Sequence, residues 1–285
     1  MTKLHNSFSK LFTISVVSAA LFLGIASTPT KASETIDKIK SDGVITVGTE
    51  AHYPPLEFIE DGKIVGYGKD ILDHVVADLG VNLNQLELPW QGILPGILAK
   101  KFDLVATSVS ITAERASKFA FTMPIAEYQS MMIKRDGDDS LSQFSDLNGK
   151  IVGVELGSVF VEQLEEVNKQ LNAAGGEGAE VKAFTNTDDM RLALANGQLD
   201  VATIPSIALG ILQKQRPGVF AYFINVGKVK LFAWVTHPDS TDLRDQVSRS
   251  ILKLRDSGEM AKLQMKWFGF EMDIPSEGYL PEGAL

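Results

Sequence analysis

The sequence predicts an α/β protein built on mostly parallel sheets with helices on both faces. Runs of β-branched residues alternate with segments of helical apolar spacing along most of the chain. The composition is ordinary for a globular chain, 45% hydrophobic and 22% charged. At 285 residues the chain is long for one sheet of this kind, so two lobes are expected.

The elements follow in order. Val44–Gly48 (VITVG) is β-branched and ends on glycine, as a strand does. From Asp70 to Leu79, apolar residues at Ile71, Leu72, Val75, Val76 and Leu79 define a helix face. Leu83 to Leu88 alternates like a half-buried strand, Ile93 to Leu98 is helical, and Leu104–Ala106 is a strand. Strands are expected at 131–134 and 151–154, a helix at 159–171, a Gly-rich loop at 174–179 and a strand at 181–184. Thr187 is expected to cap a helix running to Ala195, followed by a strand at 199–204 and a helix at 207–215. A strand at 231–235 and helices at 243–254 and 259–267 finish the chain.

The first segment reads as an address. Lys3 and Lys10 precede an apolar run from Leu11 to Ile25, and the small, polar stretch ASTPTKAS follows. That is the layout of a secretory signal peptide, residues 1–32, cut after Ala32. The apolar run is short of the about 20 residues that a spanning helix needs. Removing Lys3, Lys10 and Lys31 from the 27 basic residues leaves 24 against 36 acidic ones, a net charge of -12. An acidic chain without a basic run argues against nucleic acid or anionic membrane as a partner. The chain has no cysteine, which excludes disulfides, thiolate metal sites, a Cys nucleophile and a lipid-modified Cys. His5, His52, His74 and His237 are scattered without metal-site spacing, so neither a metal nor another cofactor is expected. Asp188 and Asp189 open a helix, where acids complement the dipole. Phe232 and Trp234 read as strand core.

Several segments, in order, resemble one family. They are Gly43–Glu50 (GVITVGTE) with Tyr53–Phe58 (YPPLEF); Trp90–Lys100 (WQGILPGILAK) with Phe102-Asp103-Leu104; and Thr107–Arg115 (TSVSITAER) with Phe121–Pro124 (FTMP). Weaker matches are Leu147–Val154, Gly157-Ser158, Gly197–Asp200 and Lys266–Gly269. Together they are similar to the extracytoplasmic solute-binding proteins that feed polar amino acids to ABC importers (family 3 extracellular solute-binding proteins).

The resemblance implies the type II periplasmic-binding-protein clamp, in which two lobes close over a ligand. Residues 33–130 and 228–285 would form lobe 1 and residues 131–227 lobe 2, with hinge crossings near 128–133 and 225–230. It also implies that Arg115 pairs with a ligand carboxylate, since a guanidinium offers two parallel charge-assisted bonds. Taken alone, Arg115 would be a surface helix cation. Thr107, Ser108 and Ser110 match hydrogen-bonding positions of the same cluster. Ser158 and Val159 start a helix whose backbone N–H groups would meet the carboxylate from lobe 2. Tyr53 and Trp90 match positions flanking the ligand side chain, or else pack in the core. Glu50 matches an acid that contacts cationic side chains in some relatives, or else is a solvated loop acid.

Departures from the pattern bear on the ligand. The family usually carries an amine-pairing acid five residues after the position of Asp200, and here that residue is Pro205, followed by Ser206. Gly68 stands where another acid is usual, and Val159 where a hydroxyl is common. Either another acid, such as Glu50, takes the ligand's amine, or the ligand is a carboxylate without that amine. The expectation is a monomeric periplasmic protein with a small-molecule ligand and an inner-membrane ABC permease as partners. It would perform no catalysis. A receptor-linked sensing role and a periplasmic cyclohexadienyl dehydratase on the same fold are the rival readings.

Overall fold

The structure is a computed structural model and describes residues 34–285. The expected signal peptide, residues 1–32, lies outside the described residues. The first elements are α1 (Glu34–Asp42) and β1 (Val44–Thr49). Helix α1 is an addition to the expected elements. Its buried Ile36 and Ile39 share one helix face, and the Ile36 N–H donates to Asp242 at 2.9 Å. Next come β2 (His52–Tyr53), β3 (Glu57–Glu60) and β4 (Lys63–Val65), a small antiparallel ribbon. Then follow α2 (Tyr67–Leu79), β5 (Asn82–Glu87), α3 (Trp90–Leu98), β6 (Leu104–Ser110), α4 (Ala113–Ala116) and β7 (Ala120–Arg135). The chain continues through β8 (Ile151–Glu155), α5 (Val159–Ala173), β9 (Glu180–Phe184), α6 (Thr187–Ala195), β10 (Val201–Pro205) and α7 (Leu209–Gln215). It ends with β11 (Phe220–Thr236), α8 (Thr241–Asp256) and α9 (Glu259–Trp267).

The main sheet has the order β5-β1-β6-β11-β7-β10-β8-β9. At one end β5, β1 and β6 run parallel; at the other β10, β8 and β9 do. Strands β7 and β11, of 16 and 17 residues, pair antiparallel between these ends and belong to both. The architecture is therefore a two-lobed clamp whose chain leaves lobe 1 along β7 and returns along β11. Only the 131–134 part of β7 and the 231–235 part of β11 were expected as strand. Their register breaks between Val226 and Lys230, where Gly227 takes φ 71°. The Gln129 side-chain amide donates to the Gly227 carbonyl there, at 2.8 Å.

Each lobe starts its third parallel strand with the same device. The Asp103 carboxylate accepts from the Thr46 N–H at 2.9 Å, and the Asp103 N–H donates to the Thr46 carbonyl at 2.8 Å. Asp200 does the same with Ile151, at 2.8 and 2.9 Å. Each aspartate thus locks two strand starts in register.

Packing explains two glycines of the family-like segments, Gly48 and Gly96. A Cβ on Gly48 or Gly96 would approach the Phe102 ring to 2.8 or 2.7 Å, so the ring is clamped between β1 and α3. Phe102 belongs to a buried cluster with Trp90, Ile93, Ile97, Val109 and Phe121 that fixes α3 against the sheet. One expectation is corrected. Asn186 caps α6, accepting from the Asp189 N–H at 2.8 Å, while Thr187 donates to the His52 carbonyl at 2.6 Å. Asn186 holds the extended backbone of a cap, whereas Thr187 is already in the helix and its hydroxyl reaches the facing lobe.

Candidate functional site

All nine residues expected at the site line one cavity: Glu50, Tyr53, Trp90, Thr107, Ser108, Ser110, Arg115, Ser158 and Val159. Glu155, Phe160 and Phe232 complete its wall. Lobe 1 contributes the end of β1, β2, the start of α3, β6 and α4. Lobe 2 contributes the end of β8 and the start of α5.

Arg115 is held by a short helix. Thr112 caps α4 by accepting from the Arg115 N–H at 3.1 Å. The side chain then crosses the cleft. Its Nη1 donates to the Ser110 carbonyl at 3.4 Å and its Nη2 to the Gly157 carbonyl at 3.3 Å. The guanidinium carbon sits 5.1 Å from the centre of the Trp90 ring, within cation–π range. No carboxylate lies within ion-pair distance of Arg115 among the described residues. Desolvation lowers its pKa from the usual value, so the charge is held at a cost that an incoming anion would offset.

The lobe 2 amides differ from expectation in one respect. Ser158 caps α5, accepting from the Phe160 N–H at 3.3 Å, and its hydroxyl donates to the Glu155 carbonyl at 2.7 Å. The Ser158 N–H is also directed to that carbonyl, at 3.2 Å. A turn over residues 155–158 thus consumes the Ser158 donors. Val159 is the first helical residue, and its N–H has no intrahelical acceptor.

The hydroxyls of β6 are oriented from behind. Ser108 donates to Glu57 at 3.0 Å and Thr107 to the same carboxyl at 3.4 Å. Ser110 and the Tyr128 hydroxyl share a hydrogen bond of 2.6 Å. Burial pushes Tyr128 up to about 12 and Glu57 up to about 8. Phe232 does more than the expected core packing. It stacks on Tyr128 at 3.8 Å between ring centres, meets Tyr53 edge-on at 6.5 Å, and shows its remaining surface to the cavity.

The sequence reading did not single out Glu155. The last residue of β8, it is 3% exposed, and Glu50 opposite it is 4% exposed. Glu50 Oε1 and Glu155 Oε1 are buried and have no hydrogen-bond partner. Burial, then the nearby Glu155 carboxyl, push Glu50 up to about 10; burial also raises Glu155. Glu50 is thus a buried acid, and the solvated-loop alternative is excluded.

Beside the cavity the lobes touch directly. His52 of β2 meets Asp188 of α6 through Nδ1 at 2.6 Å and Glu87 through Nε2 at 3.3 Å. Arg191 donates to the His52 carbonyl at 3.2 Å and pairs with Asp188. Asp188, expected only to complement a helix dipole, also joins the lobes.

The family model for bacterial extracellular solute-binding proteins, family 3, matches residues 45–270. The chain belongs to this family. It is 26% identical over 260 residues to the L-cystine-binding protein TcyJ of Escherichia coli (strain K12), covering 90% of this chain and 94% of that one. Among solved structures it is similar to AbpA of Streptococcus pneumoniae, an amino acid ABC transporter substrate-binding protein bound to L-arginine. That match has a TM-score of 0.71 and 26% identity, covering 83% of this chain and 100% of the other. A TM-score of 0.71 with 25% identity relates it to AncCDT-1, described as an ancestral amino acid-binding protein and a precursor of cyclohexadienyl dehydratase. Here 82% and 99% of the two chains are covered.

The departures noted in this family-3 chain now have locations. Pro205 ends β10 and is not part of the cavity wall, whereas Glu155 is. Gly68 lies in the first turn of α2, and a Cβ there would land on Glu57 Oε1. The space for an acid at position 68 is filled by the carboxyl of Glu57. No metal-binding cluster is found among the described residues, and no helix among them is long and apolar enough to cross a membrane.

Proposed function

We propose that the protein is the substrate-binding component of an ABC importer and takes an amino acid, or a close derivative, by closing its lobes. Arg115 carries this reading: a half-buried cation without a carboxylate partner, facing a cavity built from both lobes. A ligand carboxylate pairs with Arg115 from lobe 1 and with the Val159 N–H from lobe 2. Contacts to both lobes favour the closed state, because only there can one ligand make them all. Ser108 and Ser110 supply oriented hydroxyls, and Tyr53, Trp90 and Phe232 flank the ligand's apolar part.

The protein performs no catalysis in this reading. It works as a monomer outside the cytoplasmic membrane, in the periplasm, with a membrane permease as its partner. The lobes divide at 130/131 and 227/228, a boundary supported by the break in pairing beside Gly227. The membership in an extracellular solute-binding family supports the location.

The test is a thermal-shift screen of unfolded and refolded protein against amino acids, amines and simple carboxylates. A ligand at 100 times its dissociation constant adds about 2.7 kcal/mol of stability. Stabilisation by amino acids supports the reading. Stabilisation only by carboxylates without an amine overturns the amino-acid class. Conversion of prephenate or arogenate to an aromatic product would overturn the binding role.

A further inference from the structure

The chain after α9 returns across lobe 1 to the helix that carries Arg115. Residues 271–285 lie beyond the span matched by the family model, which ends at residue 270. They form no helix or strand, yet they are tied down along their length. Met272 and Ile274 are buried in the main core, and the Met272 N–H donates to the Gln264 side-chain oxygen at 2.9 Å. Arg255 donates to the Ile274 carbonyl at 3.3 Å. Farther on, Leu280 and Ala284 pack against the cluster that contains Trp90, Ala116 and Phe119. A turn then closes from the Ala284 N–H to the Pro281 carbonyl at 3.2 Å, with Gly283 at φ 79°. The Leu285 N–H that follows donates to the Ala116 carbonyl at 3.0 Å.

That carbonyl belongs to α4, and a helix of four residues is too short to hold itself. Thr112 caps its start, and Ala116 buries one face. At its end Leu285 supplies a donor to a carbonyl that has no partner within the helix. The Leu285 side chain is 49% exposed, so its contribution is made through the backbone. We propose that residues 280–285 form a strap that holds α4 and so sets the position of Arg115 at the ligand, with Leu280 and Leu285 as positioning residues. This deepens the amino-acid reading and rests on it for the ligand.

The route from strap to site is short. Ala116 adjoins Arg115 in α4, and Trp90, whose ring lies 5.1 Å from the guanidinium carbon, belongs to the cluster on which Leu280 packs. The strap therefore supports both the cation and the ring that flanks it, without lining the cavity itself. A planar fork that must meet a carboxylate with two parallel bonds tolerates little displacement, so slack in α4 is felt as lost affinity.

The test uses the full chain with Leu285→Pro, which deletes the N–H, against Leu285→Ala, which keeps it. Leu280→Ala is a second variant, and a melting curve verifies that each protein folds. Two quantities are read: amide exchange of residues 112–119 without ligand, and calorimetric affinity for each of the twenty standard amino acids and cystine. Leu285→Pro should speed exchange at 112–119 and weaken binding by about three- to tenfold each, the scale of one hydrogen bond, with lobe 2 exchange unaltered. Leu285→Ala should match the parent in both. In an Arg115→Lys background the proline substitution should cost less than about twofold, because a flexible ammonium needs no fixed fork. An equal loss in both backgrounds would mean that the strap supports the lobe and does not position Arg115. Unchanged exchange at 112–119, or faster exchange with unchanged affinity, also overturns the proposal. If no amino acid binds the parent, the amino-acid reading fails on its own. Faster exchange confined to 112–119 then still keeps the strap, and unchanged exchange removes it.

Discussion

The Arg115 guanidinium of lobe 1 donates to the Gly157 carbonyl of lobe 2 at 3.3 Å, so the residue proposed to hold the ligand also touches both halves of the clamp. One hydrogen bond at that length is weak, and it leaves most of the five guanidinium donors for a ligand. Arg115→Ala should cost about 2–5 kcal/mol of ligand binding, the loss expected on unpairing a buried carboxylate. Arg115→Lys should recover only part, because an ammonium lacks the planar fork. Calorimetry against the ligand found in the thermal screen checks both. Unchanged affinity in the alanine variant would remove Arg115 from the site.

Gly68 is required by Glu57. A Cβ at position 68 would overlap Glu57 Oε1 and lie 2.9 Å from its Cδ. Alanine in a helix ordinarily improves on glycine by about 1 kcal/mol. Here overlap reverses the sign, and Gly68→Ala should destabilise by about 1–3 kcal/mol. The displaced carboxyl also lets go of Ser108, so ligand affinity should fall. In a Glu57→Ala background the stability penalty should vanish. Urea unfolding of the four proteins of this cycle decides it, and additive effects would mean that the two positions do not interact.

The parts of this molecule that were legible in the sequence are those in which chemistry is local. Arg115 and the hydroxyls of β6 sit within nine residues, and the resemblance of that one segment to a family motif is what singles them out. The strands expected at 44–48 and 104–106 are short and rich in β-branched residues, and they lie within the largely buried β1 and β6. Strands β7 and β11 were seen only in part. Pro124 and Gly227 interrupt their pattern, and half of each serves a different lobe. Glu155 was missed because it follows Ile151–Val154 and reads as a strand ending in solvent. Its signal is present only in combination, as an acid immediately before the Gly157-Ser158 turn that opens α5. Glu57 filling the space above Gly68 joins two elements that sequence spacing does not relate.

The His52 contacts outside the cavity hold the lobes together without ligand atoms. His52 meets Asp188 at 2.6 Å, and its carbonyl accepts from Thr187 at 2.6 Å and Arg191 at 3.2 Å. The ring and its acids are partly exposed, so these contacts contribute about 0–1 kcal/mol. His52→Ala removes the ring contacts and spares the carbonyl contacts. Ligand affinity should fall by about two- to fivefold, corresponding to that energy, and the loss should appear in the dissociation rate. Thr187→Val should add a loss of the same order, since it removes a partly buried hydrogen bond. Stopped-flow dissociation measures both. An unaltered rate in the double variant would mean that these contacts persist in the open protein.

Glu57 gives the fold a pH dependence of defined sign. Burial holds its pKa at about 8, above the 4.5 of an ordinary glutamate, against the opposing hydrogen bond from Ser108. Between these values the native state keeps a proton that the unfolded chain has lost. Stability contributed by the protonated acid is therefore complete below the unfolded value, declines as pH rises from about 4.5 towards 8, and is gone above it. Glu57→Gln keeps the shape and the hydrogen-bonding partners and cannot ionise. Glu50 and Glu155 are raised as well, so the variant should flatten the decline without abolishing it. Urea midpoints measured at about pH 5 and about pH 9 should lie closer together in Glu57→Gln than in the parent, with the variant the more stable of the two at the higher pH. Parallel pH profiles for the two proteins would mean that Glu57 is ionised in the native state and that Ser108 and Thr107 donate to a true carboxylate.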